Sequence, residues 1–321
     1  MSSLLVDYDA QGSFLASISS GEQLAMSSIY DPMAEVPRDY ILKTFTNLKS
    51  LKKTAKEVLK KLEENNNQGN QWIVVVGLTQ PARNCLSGDG PRLGNVVFRI
   101  TLDGSVGVLK IVPGWPHEGI TGDFHNQLER QFCTMGVPLA EYAWRRATRY
   151  DGSSYAKKEP DECLVPGTRM PTGSTQGWPT LVIETGVSES LPKLRNDANW
   201  WFNYSNGTVR IVLVIAVNKD RKEVVIEKWQ LLPPSAPNPI TRAALDQIRQ
   251  ELPAPMPPRI HQPSATQRSY DAQVVKVTTN NITGAPLILP FLALFDHLPQ
   301  GNEEDIALGL QELRYCTRAL L

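Results

Sequence analysis

Residues 157–167 read KKEPDECLVPG, residues 177–218 read GWPTLVIETGVSESLPKLRNDANWWFNYSNGTVRIVLVIAVN, and residues 222–230 read KEVVIEKWQ. An acid that follows a proline, Asp161, opens the strand-like part of the acid-bearing stretch Lys157 to Val165, which is expected as one strand, and a second acid, Glu184, closes the apolar run Leu181-Val-Ile. One carboxylate thus stands at the start of a strand and the other near a strand's end. If the two strands are antiparallel neighbours, both carboxylates meet at one edge of a sheet. Carboxylates held together offer the hard oxygen ligands that Mg²⁺ takes, with a backbone carbonyl such as that of Thr185 and waters completing the shell. Downstream, Pro192 to Tyr204 has helical spacing, with Leu194, Ala198 and Trp201 on one face. Asn206-Gly207 ends it. Val209 to Val217 is a continuous β-branched apolar run, the pattern of a strand covered on both faces in the middle of a sheet.

Working outward, Ala143 to Tyr150 predicts a strand with a basic edge, Arg145 and Arg149 on one side and Arg146 on the other. With Lys157 and Lys158, Arg145 and Arg149 form a candidate nucleic-acid contact. A helix is expected from His125 to Met135, stopped by Gly136. Three strand-like runs precede it: Trp72–Gly77, Asn95–Thr101 and Val106–Val112, with Asp103-Gly104 as a hairpin turn. Residues 37–68 predict one long amphipathic helix with Asp39 as its N-cap and Ile41, Phe45, Leu48, Leu51, Ala55, Val58 and Leu62 on its apolar side. Its other side carries seven lysines in 19 positions, from Lys43 to Lys61. That is either a solvated face or a track for phosphates. Residues 1–36 form an irregular arm, 69–232 the core, and 233–270 a Pro-rich linker or strap enclosing a short helix from Thr241. Residues 271–321 supply a strand, Ala272 to Thr278, and a terminal helix, Asp305 to Leu320, that pack back on the core.

Of the 321 residues, 41% are apolar and 21% charged, with a formal net charge of zero. This is an ordinary globular composition and excludes a strongly basic nucleic-acid binder, while leaving room for a local basic groove. Four scattered cysteines without a CxxC pair exclude a zinc knuckle and fit buried free thiols in a reducing compartment. The first residues carry no basic, apolar leader, and the longest apolar runs are shorter than a membrane span. The expected location is therefore intracellular, in cytoplasm or nucleus, with no membrane partner. There is no glycine-rich phosphate loop and no nucleophile motif near any of the four histidines.

Pro160-Asp161, the Leu181-Val-Ile-Glu184 strand, the Ser188-Glu-Ser-Leu191 segment and the helix bearing Asp197, Trp200 and Trp201 together resemble the PD-(D/E)XK, restriction-endonuclease-like nuclease superfamily. The likeness spans roughly residues 120–230 and is strongest to a fungal group related to bacterial restriction endonuclease domains. It implies an α+β fold with an αβββαβ core, a central mixed sheet flanked by helices. It also implies Mg²⁺ or Mn²⁺ as cofactor, hydrolysis of phosphodiester bonds in DNA or RNA, nucleic acid as partner, and a homo-oligomer such as a dimer. Residue by residue, it implies Asp161 and Glu184 as metal-binding catalytic acids and Glu129 as the acid of the first helix. The superfamily's lysine two places after the second acid is Gly186 here, so Lys193 on the next helix is the candidate for that role. Glu189 and Asp197 are further candidate acids, and Trp200 and Trp201 either stack on bases or fill the core. The alternative function is a catalytically inactive binding or interaction module on the same fold, because Gly186 replaces the lysine.

Overall fold

The computed structural model describes residue 33 and residues 36–65, 67–88, 92–112, 115–146, 148–152, 156–170, 177–187, 191–250 and 267–318. Most of the expected N-terminal arm, residues 188–190 with Glu189, and residues 251–266 of the Pro-rich strap lie outside these described residues.

In the first half of the chain, β1 (Ile41–Thr44), α1 (Leu48–Glu64), β2 (Trp72–Val76), α2 (Gln80–Leu86), β3 (Phe98–Asp103) and β4 (Val106–Ile111) precede α3 (Trp115–Met135). Next come β5 (Tyr142–Trp144), β6 (Tyr150–Asp151), β7 (Lys157–Lys158), β8 (Glu162–Pro166), β9 (Leu181–Val187), α4 (Leu191–Tyr204), β10 (Ile211–Asn218) and β11 (Glu223–Leu231). The chain closes with α5 (Arg242–Gln250), β12 (Ser269–Thr278), β13 (Ile282–Thr283), β14 (Leu287–Leu289), α6 (Phe291–Phe295), β15 (Ile306–Leu308) and α7 (Leu310–Thr317).

These strands form two principal mixed sheets. The seven-stranded sheet has the order β13-β12-β11-β10-β9-β8-β5. Strands β9 and β10 run parallel, and their other neighbours are antiparallel. The apolar run from Ile211 becomes β10, buried at the centre as its composition predicts. Successive residues of β9 point to opposite faces. Leu181 and Ile183 pack with Ile120, Phe124 and Leu128 of α3, whereas Val182 packs with Leu194, Ala198 and Trp201 of α4. Helices therefore cover both faces, and α3-β5-β8-β9-α4-β10 gives the αβββαβ order. The C-terminal segment belongs to the same body, since β12 extends the sheet and α6 and α7 fill the core on the α3 side.

The six-stranded sheet, order β1-β2-β4-β3-β7-β6, is the part not anticipated. The long strand expected over 157–165 is two strands: β7 pairs with β3 in this sheet, while β8 pairs with β9 in the other. Pro160-Asp161 is the point where the chain crosses between them. Proline has no N–H to give a ladder, so it interrupts the strand there.

Other expected boundaries need correcting. The helix expected from Asp39 starts at Leu48, and residues 41–44 instead form β1, parallel to β2. Asn47 caps α1 by accepting the Ser50 N–H at 2.8 Å, while Ile41 and Phe45 reach the same apolar cluster from outside the helix. The basic strand over 143–150 breaks after Trp144 and resumes only at Tyr150; Arg146 between them has φ 40°. Helix α3 begins ten residues before His125, and β15 precedes a shorter terminal helix than expected. The Asp103-Gly104 hairpin stands, with Gly104 at φ +52°.

Candidate functional site

The register of β8 on β9 pairs Glu162 with Ile183. One step further along that register sets Asp161 opposite Glu184. Because alternate residues share a face, both point to the α4 side, as Cys163 and Val182 do. They line one small cavity of about 20 Å³ together with Lys193 and Asp197 of α4, Lys158 and Glu159, and Trp72, Arg99, Thr101, Val108 and Lys110 of the six-stranded sheet. That space holds about one water. Asp161 and Glu184 are each only 4% exposed.

Every carboxylate in this cavity faces a cation. Asp161 Oδ2 accepts the Thr185 N–H at 2.8 Å and lies 3.9 Å from Lys110 Nζ; Asp161 Oδ1 lies 3.3 Å from Arg99 Nε. Lys110 Nζ donates to the Thr185 carbonyl at 2.6 Å. Glu184 Oε1 accepts the Trp201 indole N–H at 2.6 Å, with Lys158 Nζ 3.6 Å away. Asp197 Oδ1 is shared by Lys158 at 2.9 Å and Lys193 at 2.6 Å. Glu159 pairs with Arg92. The cavity lining thus sets four cations, Arg99, Lys110, Lys158 and Lys193, against four carboxylates, with Arg92 reaching Glu159 from outside it.

The electrostatics follow from burial. Desolvation pushes the Glu184 carboxyl up to about 7 against the pull of Lys158, with Asp161 and Asp197 adding to the rise. Burial also opposes ionisation of Asp197, but Lys158 and Lys193 together hold its carboxyl below the ordinary range. Burial works against the charge of Lys158, and Asp197 and Glu184 keep it protonated. The cluster is therefore an ion-pair network with one carboxyl, Glu184, near its titration point at neutral pH.

Of the candidate residues, the fold brings Asp161, Glu184, Lys193 and the Thr185 backbone together, and adds Asp197. It does not bring Glu129. That side chain is on α3, across the seven-stranded sheet from the cavity, where it accepts hydrogen bonds from Tyr142 (2.7 Å) and Trp144 (2.8 Å). The four basic candidates do not form one surface. Lys158 is buried in the cluster, Arg149 and Lys157 both pair with Asp151 at 3.2 and 3.4 Å, and Arg145 is exposed on the turn after β5. Trp200 and Trp201 are fully buried against Trp178 and Tyr150, so they serve the core and not base stacking. His125 makes a structural contact, 3.1 Å from Glu162 and packed on Trp144. Arg99 and Lys110 were not anticipated. Their signal is a charge inside an apolar strand, Phe98-Arg-Ile and Leu109-Lys-Ile, at the alternate positions that face away from α1.

The residues present do not suit a divalent cation in this state. The Thr185 carbonyl and Asp161 Oδ2, two of the three oxygen sources such an ion would use, already hold the Lys110 ammonium. Among the described residues no three His, Cys, Asp or Glu side chains gather in a metal-holding group. Nor is any helix among them long and apolar enough to cross a membrane.

No family model matches the sequence, and no curated protein matches it. Among solved structures the chain is similar to a protein from Anabaena variabilis described as a "putative nuclease belonging to DUF820". The two are 14% identical with a TM-score of 0.32, over 43% of this chain and 82% of that one.

Proposed function

We propose that this chain is a binding or interaction module built on a nuclease-like α+β core, with its acid pair closed by ion pairing and inactive toward phosphodiesters. The observation that carries this reading is the burial of Asp161 and Glu184 in a cavity with room for about one water. A phosphodiester must reach the acids to be cleaved, and here the strands β2, β3 and β4 cover them. A polyanion is the partner whose charge fits the outer surface of α1, where Lys49, Lys53, Lys56, Lys60 and Lys61 are exposed. Lys53 and Lys60 are partly offset there by Glu57 and Glu64.

A second reading is favoured by the convergence of Asp161, Glu184, the Thr185 carbonyl and Lys193. These are the parts of a Mg²⁺- or Mn²⁺-dependent nuclease acting on DNA or RNA, with Lys193 as the lysine that orients water or steadies developing charge. The two readings separate on incubation of plasmid, single-stranded DNA and RNA with Mg²⁺ or Mn²⁺. For the closed module, cleavage by the wild type equals that of Asp161→Ala and Glu184→Ala. Metal-dependent cleavage that both substitutions abolish sinks that reading and establishes the nuclease.

A further inference from the structure

We propose that the Lys110 ammonium is a built-in cation, set by the six-stranded sheet at the position where a nuclease-like core would bind its divalent metal. This rests on Asp161 and Glu184 being the acid pair of such a core. A metal there draws on Asp161, on Glu184 and on the carbonyl that follows the second acid. Lys110 Nζ lies 2.6 Å from the Thr185 carbonyl and 3.9 Å from Asp161 Oδ2. Arg99 takes the other oxygen of Asp161 at 3.3 Å, and Lys158 stands 3.6 Å from Glu184. The three cations sit at adjacent register positions of one sheet, Arg99 beside Lys110 and Thr101 beside Lys158. They enter the acid site as one unit.

The exchange has a chemical consequence. An ammonium satisfies carboxylate and carbonyl oxygens by hydrogen bonds, but its single charge cannot make a bound water acidic as a divalent ion does. The cohesion of the acid pair is kept and Lewis acidity is lost. Lys110 is also fixed from behind. Trp72 pairs with it across β2 and β4, is itself 4% exposed, and has the ammonium groups of Lys110 and Lys193 at 5.9 and 5.4 Å from its ring. Val74 and Val108 continue that face into an apolar cluster with Val36. The cation is part of the fold and not a lid.

The test is a Mn²⁺ titration of the full chain followed by the ¹⁵N–¹H indole signal of Trp201, whose N–H is bonded to Glu184. Bound paramagnetic Mn²⁺ broadens signals with an inverse-sixth-power dependence on distance, so an ion in the cavity removes the Trp201 indole signal ahead of the other indole signals farther away. In the wild type the signal survives millimolar Mn²⁺. In Lys110→Ala it broadens at a concentration roughly tenfold or more lower, and adding Asp161→Ala restores it. Should Lys110→Ala fail to fold, Lys110→Gln carries the same test, since it keeps an N–H donor for the Thr185 carbonyl and drops the charge. Broadening in the wild type as early as in the variant overturns the proposal, and so does a folded variant that shows none. Cleavage assays on the same samples keep the two readings apart. Metal-dependent cleavage by a wild type whose Trp201 signal is untouched defeats the closed-module reading and leaves the built-in cation standing.

Discussion

The two faces of the six-stranded sheet are made by the same strands and are chemically opposite. Toward α1 it presents Ile73, Val75, Ile100, Leu102, Leu109 and Ile111, packed with Leu51, Ala55, Val58 and Leu62. Toward the acid pair it presents Trp72, Arg99, Thr101, Val108, Lys110 and Lys158. The apolar face removes hydrocarbon from water and accepts any shape that fills the space. The charged face places several buried ions together. Desolvation offsets much of what the pairing contributes, so that face adds little net stability. What it adds is position, because each cation must find its own carboxylate on the other sheet. One face holds the sheet together and the other decides where it docks.

The sharpest break in this contrast comes from Asp197→Ala. It strips the shared partner from two buried ammonium groups, Lys158 and Lys193. A loss of about 4 kcal/mol is expected from urea denaturation, because unpaired buried charge is worse than a buried pair. A loss under 1 kcal/mol, on the order of a surface pair, would mean that the cluster is solvated and the faces are not so different.

Next is Leu109→Ala, one residue from Lys110 on the opposite face and fully buried. Cavity formation is expected to cost about 3 kcal/mol by the same measurement. Replacement by methionine should cost about 1 kcal/mol or less. The shape tolerance is the point: an apolar residue on the α1 face can be exchanged for another of similar volume, whereas Lys110 is held by its charge.

Glu184 sharpens the comparison through pH. Its folded-state carboxyl titrates near 7, above the ordinary 4.5, chiefly through burial. Between those values the folded chain binds more protons than the unfolded chain, so this group's contribution to stability falls as pH rises through the window and is level above it. Glu184→Gln keeps an acceptor for Trp201 and cannot titrate. From pH 5 to pH 8 the wild type should therefore lose on the order of 2 kcal/mol relative to the variant in urea midpoint experiments. Parallel curves would place the carboxyl in contact with solvent.

The smallest effect is expected at the exposed side of α1. Lys53 pairs with Glu57 at 4.0 Å, both largely in solvent. Lys53→Ala should change thermal stability by less than about 0.5 kcal/mol. A larger loss would show that surface charge matters to this helix as buried charge matters to the sheet behind it.

The order of the core was legible along the chain. The Leu181-Val-Ile run and the run Val209 to Val217 mark two central strands, and Leu194, Ala198 and Trp201 the stripe of a packed helix. Local pattern sufficed because period and length are properties of a few consecutive residues. Helix boundaries near Asp39 and His125 were less legible, since Ile41 and Phe45 fit a helical stripe as well as a strand and its turn. The placement of Glu129 was missed for a geometric reason: a helix covers one face of a sheet, and only the packing says which. The company kept by Asp161 and Glu184 was beyond local pattern. Lys110 lies 51 residues before Asp161, and alternation in β4 shows only that it faces away from Leu109. That its ammonium reaches the Thr185 carbonyl follows from the chain crossing between sheets at Pro160-Asp161, which swings the six-stranded sheet over the acids. By itself the sequence determined the central strands β9 and β10, the packed stripe of α4 and where the two acids stand along the chain, because these rest on short-range periodicity and chain chemistry. Whether that pair meets water, a metal or lysine was decided by tertiary packing alone, because the distance between charges far apart in sequence depends on how two sheets dock.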